Sequence, residues 1–418
     1  METLEDLAPD YSIVAELGRA AEGTLQAFFM ASSLAQLPDG VLVAAIGQGH
    51  YHPERGKGLD SVVVCNSHDG GETWQQVAEL PHDSCEPVLH VHQSRLYMII
   101  TPNRLEYERG TNFPRGDNGR VWVAASDNAG GTWSEPELVI RSEIPYTSGG
   151  QGAMVERDGH LYLTLSNRYQ SLAALRCDLD KGLLEPAAWT VSELTTMPIP
   201  EEVTHPMLTG YSGMRCLEGN VVEVSGRLLV IARTILNSGG TAGMGAVFEI
   251  VDQPGESFRL EFRLLHPIPG GQMKFHIRRD LQTGLYWMVS NQAVNPGYLV
   301  EDEAWLRARA SNAYATDRRW LLLWYAVDAL NWIPAGWVAR TRKWTQSFSY
   351  PVMLIDGEDL LILSRTAKAS KSQHDVDCTT FHRVHDFRAL ALAMAPVFED
   401  ADTEDQVVPS VEERERLH

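Results

Sequence analysis

The chain has 418 residues, of which 35 are Lys or Arg and 55 are Asp or Glu, giving a net charge of −20, and 44% are hydrophobic. That balance excludes wholesale disorder and argues against nucleic acid or an anionic membrane surface as the main partner, because both need a basic footprint. No apolar run reaches the length of a membrane span, and the acidic opening Met1-Glu2-Thr3-Leu4-Glu5-Asp6 is unlike a basic-then-apolar leader, so a cytoplasmic location is expected.

In chain order, a leader over 1–10 precedes a short strand-like piece at 11–17. The rest lays out as six similar units, each opening with an apolar strand, a tight turn and a second apolar strand. The first pairs of strands are 28–36 with 41–46, 87–92 with 96–101, 151–156 with 160–166, 220–224 with 227–233, 274–279 with 285–290, and 351–355 with 359–364. Turns such as Pro38-Asp39-Gly40, Asp158-Gly159, Ser225-Gly226 and Asp356-Gly357 separate them, each supplying a residue suited to positive φ. Third strands follow at 61–66, 120–125, 173–177, 246–251, 320–325 and 379–384. This repetition predicts an all-β, six-bladed propeller of four-stranded antiparallel blades over 11–397 as a single domain, with an acidic tail at 398–418. Unit six lacks a fourth strand, and the orphan at 11–17 is expected to supply it and close the ring. A β-sandwich is the rival, but it does not explain six equivalent turns.

Five cysteines, Cys65, Cys85, Cys177, Cys216 and Cys378, are odd in number and widely spaced, so buried thiols are expected and not a disulfide framework.

The pattern Ser67-His68-Asp69-Gly70-Gly71-Glu72-Thr73-Trp74 returns as Ser126-Asp127-Asn128-Ala129-Gly130-Gly131-Thr132-Trp133, with a degenerate remnant at 328–332. Asp or Asn serves backbone N–H groups, Gly takes positive φ, and Trp packs beneath. These repeats resemble the Asp-box of the sialidase-like propellers. The resemblance implies a six-bladed glycoside-cleaving enzyme with an arginine triad on the substrate carboxylate, a Tyr nucleophile assisted by Glu, and an Asp acid in the first blade's loop. It also implies that the boxes are structural and lie on the face away from the active site. The first-blade arginine of that family falls here on Met30, so ordinary sialic-acid recognition is not expected, and the His, Lys and Arg content instead resembles that of propeller enzymes acting on uronic-acid glycans, hydrolases or lyases.

In a propeller, first strands start and second strands end on one face, where ligands collect around the axis. That rule gives Glu86, Gln151, Gln272, Lys274, His276 and Tyr350 at strand starts. After second strands it gives Gln48, His50, His52, Arg55, Asp60, Arg104, Arg168, Arg233, Asn291, Arg365, His374 and Asp375. Tyr350 is expected as nucleophile or base, activated by Glu86 or His276, with Asp60 and His50 as acid. Arg233, Arg365 and Lys274 are expected to hold an anion, and the rest to line the sugar site, with 292–319 as a lid. His50-x-His52 has metal-ligand spacing but no third partner in sequence, so no metal or other cofactor is expected. The reading is hydrolysis of a bond to an acidic sugar, with β-elimination or a non-catalytic glycan-binding propeller as alternatives.

Overall fold

A computed structural model describes residues 6–391 apart from 19–26, 53–55, 82–85, 102–105, 108–113, 116–118, 143–145, 150–151, 168–170, 200, 205–214, 236–242, 254, 293–316, 344, 371–372 and 375. Six antiparallel sheets form the blades, and in all but the last the strands run outward from the axis in chain order; Glu106–Tyr107 and Pro114–Arg115 make a separate two-stranded sheet. Blade one is Ala27–Gln36, Leu42–His52, Gly56–Ser67 and Gln75–Leu80. Blade two is Val88–His92, Arg95–Ile100, Arg120–Ser126 and Glu137–Arg141. In blade three the inner strand is split into Tyr146–Gly149 and Val155–Arg157, both on His160–Asn167, followed by Leu172–Asp178 and Trp189–Val191. Blade four is Arg215–Val224, Arg227–Ile235, Met244–Val251 and Arg259–Pro267. Blade five is His276–Arg279, Tyr286–Asn291, Trp320–Ala326 and Ile333–Arg340. Blade six is Ser347–Asp356, Asp359–Ala367 and Cys378–Val384, with Tyr11–Glu16 paired antiparallel to the last of these as its outer strand.

The strands read as near-continuous apolar runs because both faces of every blade are covered. Among the described residues, six hydrophobic clusters form, one at each contact between neighbouring blades. Blades one and two share Val43, Val62, Leu89 and Met98, and blades five and six share Trp287, Val289, Met353 and Ile362. Val14, Phe29, Leu361 and Phe381 fill the contact between blades six and one. Successive residues of one strand feed opposite clusters, as Met288 and Val289 do. A sandwich would have one such core, and this arrangement has a ring of them. Cys65, Cys177, Cys216 and Cys378 are free and buried in these layers, which pushes each thiol up to about 12; Cys85 lies outside the described residues.

Both repeats form the expected turn. Asp69 Oδ1 accepts from Thr73 N at 2.9 Å and from Ser67 Oγ at 2.7 Å, while Gly71 N donates to Ser67 Oγ at 2.8 Å. Asn128 Oδ1 accepts from Thr132 N at 2.8 Å in the same way. Hydrogen bonds from Thr73 hold the Asp69 carboxyl well below its usual range, so this carboxylate is committed to the turn. Gly71 sits at φ +96°, and a Cβ there would meet the Phe381 ring of blade six at 2.2 Å. We therefore expect Gly71→Ala to cost roughly 2–4 kcal/mol, the sum of left-handed strain and overpacking. Chemical denaturation checks it, and a change within 0.5 kcal/mol, on the order of an ordinary surface substitution, refutes the close approach.

Candidate active site

In two innermost strands a β-bulge, an extra residue that re-aims a side chain, holds a residue other than Gly at positive φ. In blade four the register skips between Leu217, opposite Arg233, and Gly219, opposite Ala232, which leaves Glu218 unpaired at φ +54°. In blade six it skips between Ser349, opposite Arg365, and Val352, opposite Leu363, which leaves Tyr350 at φ +48°. Left-handed backbone is costly for residues other than Gly and concentrates at functional sites. Each bulge residue is thus paired by topology with an arginine from the second strand of its own blade.

These groups converge. The Arg365, Lys274, Arg318 and Arg233 cations lie 4.8, 5.5, 5.7 and 5.9 Å from the centroid of the Tyr350 ring. Glu218 Oε2 is 2.7 Å from Arg233 Nε, and Lys274 Nζ is 2.9 Å from Glu86 Oε1 and 3.9 Å from Glu218 Oε1. Arg365 donates to the His374 carbonyl, and the His374 imidazole stands edge-on to Tyr350 at 6.4 Å. All but His374 are buried. Four cations therefore face two carboxylates around one phenol, a local positive excess in a chain of net charge −20.

Burial alone pushes the Tyr350 phenol up, and Glu218 adds to that, but Arg233, Arg318 and Arg365 outweigh both and bring it down to about 8. Arg233 is hydrogen-bonded to Tyr350, and burial, which disfavours its charge, is overcome by Glu218 and the phenol. The folded phenol releases its proton at about 8 where the unfolded one does so at 10, so the unfolded chain binds more protons between them. This group's contribution to stability accordingly grows as pH rises through that window. A wild-type minus Tyr350→Phe ultraviolet difference titration is expected to show one phenolate appearing near pH 8; a difference confined to the ordinary tyrosine range refutes the assignment.

Of the residues chosen from the sequence, Tyr350, Arg233, Arg365 and His374 meet here, and Glu86 and Lys274 stand beside them. Several expectations are corrected. Lys274 stands in the cluster 1% exposed, with its ammonium on Glu86. The strand expected from Lys274 begins only at His276, so Gln272 and Lys274 sit in the turn before it. Burial, followed by Arg278 and Lys274, keeps the His276 imidazole far below its usual range, and the carboxylate that acts on the phenol is Glu218. Asn291 donates its amide to the carbonyls of Trp320 and Phe348 at 3.0 and 2.7 Å, tying blade five to blade six. Gln48 turns to Ser61 and Glu79 within blade one at 3.5 and 3.4 Å. Asp60 belongs to the strand Gly56–Ser67 and not to a loop, and its Oδ2 is 2.9 Å from Nδ1 of His50 on the adjoining strand, both part-exposed. Arg55, Arg104, Gln151, Arg168 and Asp375, the side chain of His52, and 293–316 of the expected lid lie outside the described residues. Glu218 and Arg318 were not selected from sequence.

No family model and no curated protein sequence matches the chain. Solved structures do. The sialidase of Trypanosoma rangeli in complex with the inhibitor DANA superposes with a TM-score of 0.57 at 13% identity, over 95% of this chain and 63% of that one. The chain thus spans less than two thirds of that sialidase. The alpha-L-arabinofuranosidase of Fusarium graminearum with arabinobiose gives 0.51 at 12% identity over 90% and 96% of the two chains. A Dyadobacter fermentans protein of unknown function gives 0.53 at 15% over 90% and 99%. The fold is that of the sialidase-like six-bladed propellers, at a sequence distance that leaves activity to be argued from the site.

Proposed function

We propose that this propeller is a glycoside hydrolase acting at an acidic sugar, of sialic or uronic type, with Tyr350 as covalent nucleophile. The observation that carries this reading is the phenol set on a strained bulge among three guanidinium groups. A sugar carboxylate close to the anomeric carbon repels an anionic nucleophile, whereas a phenol that is neutral until it reacts avoids that repulsion. Arg233, Arg318 and Arg365 bind the carboxylate and stabilise the phenolate.

In the first step Glu218 accepts the phenolic proton as Tyr350 Oη attacks the anomeric carbon. The bond to the leaving oxygen breaks, and that oxygen takes a proton from the His50–Asp60 pair. In the second step the same pair takes a proton from water, the water oxygen displaces Tyr350, and Glu218 returns the proton. Two displacements give net retention.

The test is a panel of fluorogenic glycosides of a sialic acid, a glucuronic acid and L-arabinofuranose. Turnover of an acidic glycoside with retention is expected. Cleavage of the arabinofuranoside alone overturns the anionic reading, and sugar-acid binding without cleavage of any substrate identifies a binding module. The same phenolate beside a neutralised carboxylate suits proton abstraction at C5 of a uronate, and an unsaturated product seen by ultraviolet absorbance assigns β-elimination instead.

A further inference from the structure

At the other end of the inner strands, where first strands turn into second strands, lies a cavity of about 390 Å³. Residues from blades one, two, three, five and six line it, among them Gln36, His90, Glu156, Arg278 and Ile355. Two imidazoles meet one carboxylate there. His90 and His92 are two apart on Val88–His92 and so share a face of the strand, with rings 15° from parallel. Glu156 reaches them from the inner strand of blade three, its Oε1 2.8 Å from His90 Nε2 and 3.2 Å from His92 Nδ1.

We propose that His90, His92 and Glu156 form a site for a borderline divalent transition metal, of which zinc is the type. One ligand atom from each residue lies within 4.8 Å of the other two, and tetrahedral zinc with bonds of about 2.0–2.1 Å brings its ligands to roughly 3.3 Å. The two His–Glu156 separations, 2.8 and 3.2 Å, already stand at about that value. His92 faces Glu156 through Nδ1, the atom it would give the metal, and its Nε2 is buried without a partner among the described residues. Two imidazoles and one carboxylate select zinc, cobalt or nickel over calcium or magnesium, which take all-oxygen sets. His90 and Glu156 both line the cavity, and three protein ligands leave a tetrahedral ion one position for water or a ligand. His50-x-His52, the pair with the same spacing, has Asp60 on His50 Nδ1 instead. The bound ion clips blade two to blade three at the end of the axis away from Tyr350.

The test uses the untagged full chain stripped with a chelator and titrated with Zn2+ by calorimetry near neutral pH. One high-affinity Zn2+ per chain is expected, with a rise in melting temperature. His92→Ala and His90→Ala should each weaken binding by more than the roughly 10–100-fold that loss of a supporting partner costs, and abolish the thermal shift. Glu156→Gln, which keeps the shape of the side chain, should weaken it as well, so that a folding defect in an alanine variant does not decide the matter. Co2+ should give the intense visible absorption of a tetrahedral site in wild type alone. Absence of stoichiometric Zn2+ uptake, or equal uptake by wild type and all three variants, overturns the proposal.

Discussion

Tyr350→Phe is expected to lower turnover of the identified substrate by about 10⁴-fold or more, since it removes the atom that forms the covalent intermediate. The substitution takes away only a hydroxyl. The Phe ring keeps its place against His374 and beneath the four cations, and Arg233 keeps Glu218 at 2.7 Å. Stability should therefore move by only about 1 kcal/mol, the scale of one hydrogen bond. Binding of a non-hydrolysable sugar acid should persist, because the guanidinium groups that hold the carboxylate remain. Steady-state kinetics and calorimetry on the same preparation separate these readouts. A variant that retains turnover within tenfold of wild type removes Tyr350 from the chemistry, while loss of both turnover and binding assigns it a place in substrate recognition.

The contrast between Tyr350 and Glu218 shows what the sequence makes legible. The blades were readable because each turn carries a residue for positive φ, as at Gly40, Gly159, Gly226 and Gly357, and the flanking runs are apolar on both faces. Tyr350, Arg233 and Arg365 were readable because they stand at the strand start and strand ends that the topology aims at the axis. Glu218 has the same relation to Arg233 that Tyr350 has to Arg365, but it sits where the alternation breaks. A count in steps of two along Arg215–Val224 passes over a bulged residue, and the surviving hint is Gly219, whose Cβ would meet Val230 at 2.5 Å. Arg318 reaches the phenol from the segment before Trp320–Ala326, where no strand periodicity exists to place it. The His90, His92 and Glu156 cluster failed to show for another reason. The spacing of the histidines was plain, but the carboxylate comes from the next blade, and only tertiary structure supplies it.

Lys274→Met is expected to destabilise the fold by roughly 3–5 kcal/mol, the cost of breaking a buried ion pair by removing one partner. Glu86 opens blade two, and Lys274 precedes the inner strand of blade five, on the opposite side of a ring of six. Their ion pair at 2.9 Å is therefore a strut across the axis, between side chains 8% and 1% exposed. Neither end is wet, so screening by salt should leave the pair largely intact. Removing the ammonium takes away the 2.9 Å partner of the Glu86 carboxylate in a low-dielectric interior, and it also removes a cation 3.9 Å from Glu218. The double variant Lys274→Met with Glu86→Gln should recover most of the loss, because neutralising both ends removes the remaining buried charge as well as the attraction. Denaturant titration of the two single variants and the double gives the coupling directly. If Lys274→Met alone costs under about 1 kcal/mol, the scale of an exposed pair, then water reaches Glu86 and the strut carries no load. If the double variant is no better than the singles, the loss comes from packing of the lysine stem against Tyr350 and not from the charge it carries.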